Sequence, residues 1–414
     1  MPEFLPFAGT RYRADIDPAQ VTSPPFDIIS TEFRDILYER NPYNAIRLEW
    51  NRDPDPYPSA AHYLEAWNRE GILHRETRPA FYVYHQVFRT PDGGHVTRAG
   101  VIGRMKLHPY SEKQVLPHER THVGPKRDRL ELMERTHANF SPIFALISDP
   151  SFFFDQSIEP ATAYAPIADV TERLASGERV RHILWRLDDE TAQSRISHIV
   201  QNRPAIIADG HHRYETALEF HELHPDLPGA AYVMTFLTNL QAEGTVILPT
   251  DRLLRDVPNF NPYELLAALR KEFDLVPFTG REEGWSALER DDEALTLIEF
   301  PQDPKWVLVR DRNPKPRDTQ ELAAARLEEE IFIPILGLSR AVIQEKRYLY
   351  YPHSMRELDE MQDEAEWDAA FLLRSVRPSE LEAVVGKGGF MPQKTTYFFP
   401  KLLTGMVFHE FEAQ

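Results

Sequence analysis

Ile206-Ile207-Ala208-Asp209-Gly210-His211-His212-Arg213-Tyr214-Glu215-Thr216-Ala217-Leu218 is the stretch around which the chain is organised. Residues 205–208 form an apolar run with the length of a buried strand, Asp209-Gly210 breaks it, and residues 214–220 carry helical spacing. The implied order is strand, tight turn, helix. The first turn of a helix has unpaired backbone N–H groups and a partial positive charge, so this turn suits a phosphate. Gly210 lets the backbone approach a ligand closely, Arg213 can fork two bonds to phosphate oxygens, and His211 and His212 can donate hydrogen bonds or move protons near neutral pH. The same three side chains would also serve simply to cap and solvate a helix end. A buried strand running straight into the turn favours the ligand, because that is where α/β folds bind one.

The rest of the composition sets bounds on that reading. A chain of 414 residues is long enough for two or three domains, and 42% hydrophobic residues fit a globular protein. A formal net charge of -18 argues against a nucleic-acid partner held by neutralising phosphates along a duplex, but leaves room for a small nucleotide in a local positive pocket. The absence of cysteine excludes disulfides, thiolate catalysis and cysteine-ligated metals. No run of eighteen apolar residues occurs and the first thirty residues have neither a basic start nor a long apolar stretch, so a cytoplasmic protein without a membrane partner is expected.

Upstream of the turn, Ser23-Pro24-Pro25-Phe26-Asp27 pairs a rigid proline turn with one carboxylate, and Ser30 reads as the N-cap of a helix. Asp27 is a candidate acid, or the bonding partner of its own turn. Residues 45–50 look strand-like. Residues 81–88 and 96–107, rich in aromatic and β-branched residues and separated by Pro91-Asp92-Gly93-Gly94, are the clearest hairpin.

The hairpin leads towards a second polar cluster, Pro117-His118-Glu119-Arg120-Thr121-His122-Val123-Gly124-Pro125-Lys126-Arg127-Asp128-Arg129. His118 beside Glu119 offers general-base chemistry, while Lys126 and Arg129, three apart at a helix start, can face one anion. A solvated loop with internal ion pairs is the plainer alternative, yet long polar loops between core elements tend to bind ligands. His118 and His122 have too little helix between two proline-containing breaks to make a strong zinc pair.

Further along, residues 142–147, 182–187, 232–237 and 245–248 read as strands, and the pattern restarts near Asn261 with helices and a second hairpin at 295–300 and 306–310. Gly386-Lys387-Gly388-Gly389, with Lys394 and Lys401 beyond it, either cradles an anion or is the C-cap of a helix; it lacks the spacing of a Walker A loop.

The segments SPPFDIIS, NPYNAIRLEW, HERTHVGPKRDRL, IADGHHRYETAL, ILPTDRLL and MPQKTTYFFPKLLTG, in this order and over nearly the whole chain, resemble the bacterial and archaeal domain-of-unknown-function 1015 family. One departure is Asp251, where the resemblance implies histidine. Over about residues 180–252, the helix, strand and DGHHR turn are similar to the core shared by ParB-like nucleotide-hydrolysing proteins, sulfiredoxins and free-serine kinases, with the serine kinases spelling the motif most alike. That similarity implies that Gly210, His211, His212 and Arg213 contact nucleotide phosphates, and that a nearby carboxylate activates the acceptor hydroxyl. Glu119, Asp209 and Asp27 are the candidates, in that order.

The expected architecture is an α/β, ParB/sulfiredoxin-like nucleotide-binding core within an α+β chain: an N-terminal region at 1–150, the core at 151–260 and a C-terminal region at 261–414. The expected activity is phosphoryl transfer from ATP or ADP, with Mg²⁺, to the hydroxyl of an amino acid such as L-serine. Lys126, Arg129 and the DGHHR turn would supply positive charge, and Glu119 or Asp209, with His118, would handle the proton. The alternatives are a metal-dependent phosphohydrolase using His118, His122, His211 and His212, and a nucleotide-binding switch or adaptor without catalysis.

Overall fold

The apolar run of the opening stretch is the second strand from one edge of a nine-stranded mixed sheet. The structure is a computed structural model that describes residues 2–90, 93–119, 124–174, 177–303, 305–313, 322–391 and 395–411. In chain order the strands of this sheet are β1 (Phe4–Leu5), β2 (Phe81–Arg89), β3 (His95–Lys106), β4 (Val115–Leu116), β5 (Ile143–Ile147), β6 (Ala168–Arg173), β7 (Arg179–Leu187), β8 (Ala205–Asp209) and β9 (Tyr232–Asn239). Their spatial order is β4-β8-β5-β9-β3-β2-β7-β6, with β1 added beside β3. Strand β8 runs parallel to β4 and antiparallel to β5, and β5 is parallel to β9.

Side-chain alternation gives each strand one face for a common core. Phe81, Val83, Val101, Met105, Ile143, Ala145, Ile147, Ile183, Ile207 and Leu237 are buried together with apolar residues of three helices: α4 (Phe153–Ile158), α5 (Glu190–Gln201) and α6 (His211–Leu223). In α6 the buried residues are His211, Tyr214, Thr216, Ala217 and Phe220, of which Tyr214, Ala217 and Phe220, three apart, join this core. Earlier in the chain lie α1 (Thr31–Arg40), capped as expected by Ser30 Oγ accepting from Phe33 N at 3.2 Å, then α2 (Pro56–Arg69) and α3 (Gly124–Thr136).

The hairpin forms as expected, as β2 and β3 with Thr90 N bonded to Gly94 O at 2.9 Å; Pro91 and Asp92 lie outside the described residues. The strand-like segment at 45–50 does not: it contains a one-turn helix, Ile46–Glu49. Asn44 explains the difference, because its Oδ1 accepts from Ile46 N at 3.1 Å while its Nδ2 donates to Gln20 O and Thr22 O, so a side chain satisfies the backbone in place of a ladder.

The chain divides into two compact units, residues 1–246 with 400–414, and residues 247–399. Three consecutive regions were expected. The division at 150 is absent because strands from both sides of it interleave: β5 lies between β8 and β9, and β7 lies beside β2. Residues after 399 belong with the first unit because His409 and Glu410 pair with Asn139 and Ala138, and Phe408 and Phe411 are buried in its cores.

The second unit has an antiparallel six-stranded sheet built from β10 (Arg252–Leu254), β11 (Phe273–Phe278), β12 (Ala294–Glu299), β13 (Trp306–Asp311), β14 (Leu349–Tyr350) and β15 (Ala369–Leu372), in the order β11-β13-β12-β15-β10-β14. Its helices include α7 (Pro262–Glu272), α8 (Arg281–Arg290), α9 (Met355–Glu364) and α10 (Pro378–Gly386). Each unit is thus mixed α+β, the class the sequence implies. Among the described residues no helix is long and apolar enough to cross a membrane.

Candidate active site at the ends of two parallel strands

Two strand-to-helix connections lie side by side in the first unit. Strand β4 leads through the polar loop into α3, and β8 leads through Gly210 into α6. Because β4 and β8 are neighbours and parallel, His118-Glu119 and the DGHHR turn emerge at the same end of the sheet. The helices also run in the same direction: Lys126 at the start of α3 pairs with Glu215 in the second turn of α6, and Glu134 Oε1 near the end of α3 lies 2.8 Å from His224 Nε2 just beyond α6. Two helix N-termini therefore face the same region, each with outward N–H groups and a partial positive charge.

Gly210 makes the sharp entry into α6 possible. Its φ of 89° is left-handed, and a Cβ there would come within 3.0 Å of Arg213 Nε. A bulge precedes it. Ile207 is opposite Ala145, but Asp209 is opposite Phe144, so the register slips and Asp209 falls on the other face of the sheet from Ile207.

On that face Asp209 meets two cations, with Oδ1 3.1 Å from Lys401 Nζ and Oδ2 3.1 Å from Arg213 NH2. Arg213 NH1 also donates to Pro142 O at 2.6 Å. Burial by itself would raise the Asp209 carboxyl, but Lys401, Arg213 and His211 outweigh it and hold the group well below the ordinary carboxylate range. It is a firmly ionised, weak base.

The two histidines of separate segments are in direct contact. His118 N donates to His211 Nε2 at 3.2 Å, and the rings meet edge to face with centroids 4.6 Å apart. Burial first, and the neighbouring His118 second, push His211 down to about 3, so it is neutral at pH 7. With Nε2 accepting, Nδ1 is the nitrogen that carries the proton. His118 itself is bonded through Nδ1 to Ile207 O at 2.6 Å, which assigns the proton to Nδ1 and directs Nε2 to Glu119 Oε1, 3.7 Å away. His212 is half-buried on the first turn of α6.

Lys126 and Arg129 do not share a partner. Lys126 reaches Glu215, whereas Arg129 is buried, donating to Glu49 O at 2.8 Å and Asp128 Oδ2 at 2.7 Å, with its guanidinium 4.1 Å over the Phe26 ring. Asp27 is exposed in the 3₁₀ turn Phe26–Ile28. The structure thus brings together His118, Glu119, Lys126, Asp209, Gly210, His211, His212 and Arg213, and places Arg129 and Asp27 in other surroundings.

Two further side chains contact this cluster. Glu215 lies one turn beyond His211 and carries Lys126; its helical spacing from the motif was a usable signal. Lys401 follows the glycine-rich loop in the chain, and no sequence spacing links it to Asp209, 192 positions away. Gly386 is the last residue of α10, so the glycines follow a helix C-terminus, where carbonyls and negative partial charge are presented; this is the C-cap alternative. Arg120, Thr121, His122 and Lys394 lie outside the described residues. Among the described residues no group of three or more His, Asp or Glu side chains is arranged to hold a metal ion, and His211 Nε2 already accepts the His118 N–H.

Comparison with known proteins gives a match of residues 4–332 to the family described as "Protein of unknown function (DUF1015)". No curated protein matches the chain. Solved structures with some similarity include a free serine kinase in complex with AMP, at 14% identity and a TM-score of 0.37, covering 72% of this chain and 86% of that one. A conserved hypothetical protein from Pyrococcus furiosus, at 14% identity and a TM-score of 0.36, covers 73% and 93% of the two chains. SbnI with a C-terminal truncation, from Staphylococcus aureus, is 11% identical with a TM-score of 0.34, covering 72% and 85%.

Proposed function

We propose that this chain, which belongs to the DUF1015 family of proteins of unknown function, is a nucleotide-dependent kinase that transfers a phosphoryl group from ATP or ADP to the hydroxyl of a small molecule such as L-serine. One observation carries this reading: α3 and α6 begin side by side on neighbouring parallel strands, with Lys126 and Arg213 on their first turns and Lys401 beside Asp209. Phosphoryl transfer asks a protein mainly for positioning and for positive charge around the moving group. Outward N–H groups of two helix starts, Arg213, Lys401 and the Nδ1–H of His211 supply it.

In the reaction the acceptor oxygen bonds to the terminal phosphorus, the bond from that phosphorus to the bridging oxygen breaks, and the shortened nucleotide leaves. The hydroxyl proton passes to Glu119, whose Oε1 lies 3.7 Å from His118 Nε2. Asp209 is too well neutralised to be the base; it holds Lys401 and Arg213 in place. Mg²⁺ carried in with the nucleotide would neutralise charge on the phosphates.

The test is calorimetric titration of the full chain with ATP and with ADP, each with Mg²⁺, followed by ³¹P NMR of mixtures containing L-serine. Nucleotide binding and a phosphomonoester signal are expected. Absence of binding sinks the proposal, and binding without transfer to any small hydroxyl compound favours the switch or adaptor instead.

A further inference from the structure

Residues 400–404 return to the first unit as an irregular strap, and buried polar groups hold it at almost every residue. Arg98 donates to Pro400 O, Gln86 Nε2 donates to Lys401 O at 2.7 Å, and Leu403 N donates to Tyr84 Oη at 3.4 Å. Thr404 N and O bond Ser23 O and N at 2.9 and 3.1 Å, and Thr404 Oγ1 donates to Glu49 Oε2 at 2.7 Å. The holders are themselves braced: Arg98 Nε donates to Gln86 Oε1 at 2.9 Å, and Tyr84 Oη is 2.7 Å from His182 Nδ1, whose Nε2 is 3.2 Å from Glu172 Oε2.

Tyr84, Gln86, Arg98 and His182 are each 0% exposed, and Glu49 is 5% exposed. Burying this many polar groups on a sheet face is costly unless every one is paired, and a merely adhesive strap would do better on apolar side chains. What directional bonds add is register: the strap can lie in only one position along the sheet. Strand register puts Gln86 opposite Arg98, and the Arg98 guanidinium is 4.7 Å over Phe144, the residue opposite Asp209. The strap therefore lies on the face to which the bulge turns Asp209, and its one charged side chain, Lys401, reaches that carboxylate.

We propose that Lys401 is a phosphate-contacting residue of the candidate site, and that Glu49, Tyr84, Gln86 and Arg98 are positioning residues that fix the strap carrying it. This assignment rests on the nucleotide reading above. It also gives a use to Ser23 and Glu49, which belong to N-terminal motifs that the phosphate turn alone leaves unexplained.

The experiment is titration of the full chain with ADP and Mg²⁺, comparing wild type with Lys401→Met, Lys401→Arg, Gln86→Leu, the Lys401→Met/Gln86→Leu double variant, and Arg213→Ala. Lys401→Met is expected to weaken ADP about tenfold or more, as loss of one charge-assisted hydrogen bond should, and Lys401→Arg to keep most of the affinity. Gln86→Leu should weaken ADP several-fold when Lys401 is present and cause no further loss in the Lys401→Met background, a coupling that general destabilisation does not produce. Wild-type affinity in Lys401→Met, with Arg213→Ala weakened, overturns the Lys401 assignment alone. Additive losses in the double variant overturn the positioning role. A wild-type chain that binds no ADP overturns the nucleotide reading and this assignment together.

Discussion

The backbone N–H of His118 donates to Nε2 of His211 across 3.2 Å, joining two segments 93 positions apart. Protonating Nε2 would break this bond and place a charge in a buried contact. His211 is pushed down to about 3, from an ordinary value of 6.5. Between those values the unfolded chain binds the proton and the native chain does not, so native stability falls as pH drops through 6.5 towards 3 and is full above it. The slope from this residue is about 1.4 kcal/mol per pH unit. Asp251, which burial pushes up to about 7, acts with the opposite sign between its unfolded value and 7, so the comparison must be with a variant. We expect the destabilisation caused by His211→Asn, measured by urea unfolding, to shrink by about 2 kcal/mol between pH 7.5 and pH 5. A constant difference would mean that His211 titrates normally.

Gly210→Ala should be harmful for two separate reasons. A φ of 89° strains any residue with a Cβ, and that Cβ would lie 3.0 Å from Arg213 Nε, displacing the guanidinium from Asp209. Left-handed strain alone is worth about 1–2 kcal/mol. Thermal unfolding should show a lower midpoint, and ADP titration a loss of affinity beyond that of a surface Gly280→Ala control, where nothing lies within 4 Å of the added Cβ. Equal ADP affinities would show that the turn plays no part in binding.

These two sites also show where sequence alone sufficed. The strand, turn and helix at 205–223 are encoded locally, by an apolar run, a glycine that takes positive φ and the core residues Tyr214, Ala217 and Phe220, three apart. The β2–β3 hairpin and the Ser30 cap are local in the same sense. What was not legible depends on distant partners. Strand pairing places β5 between β8 and β9, and this dissolves the expected boundary at 150. A one-residue slip turns Asp209 to the face where Lys401 waits, and no pattern of spacing reports a slip. Arg129 has the charge and helical position for an anion, yet Glu49 O and Asp128 claim it.

His118 should be structural as well as chemical. Its Nδ1 donates to Ile207 O at 2.6 Å, next to the register slip, and the ring is 1% exposed. His118→Leu leaves that carbonyl buried without this donor, at a cost of about 1–3 kcal/mol in urea unfolding. His118→Asn, which can still donate, should recover part of the loss. Identical stabilities for the two variants would show that the hydrogen bond contributes nothing.

Glu119 and Asp209 are both carboxylates at the same end of the sheet, in different surroundings. Asp209 holds two cations and is kept well below the ordinary range, so it is a poor proton acceptor; Glu119 pairs with His118 Nε2 at 3.7 Å instead. If Glu119 is the base, Glu119→Gln should lower kcat for phosphoryl transfer by about 10²–10⁴ while ADP affinity changes only a few-fold. Asp209→Asn should do the reverse. With the carboxylate gone, Lys401 and Arg213 lose the charge that holds them, so ADP affinity and thermal midpoint should both fall, while kcat at saturating ADP falls far less than in Glu119→Gln. A large loss of kcat in Asp209→Asn, with Glu119→Gln near wild-type kcat, would exchange the two assignments.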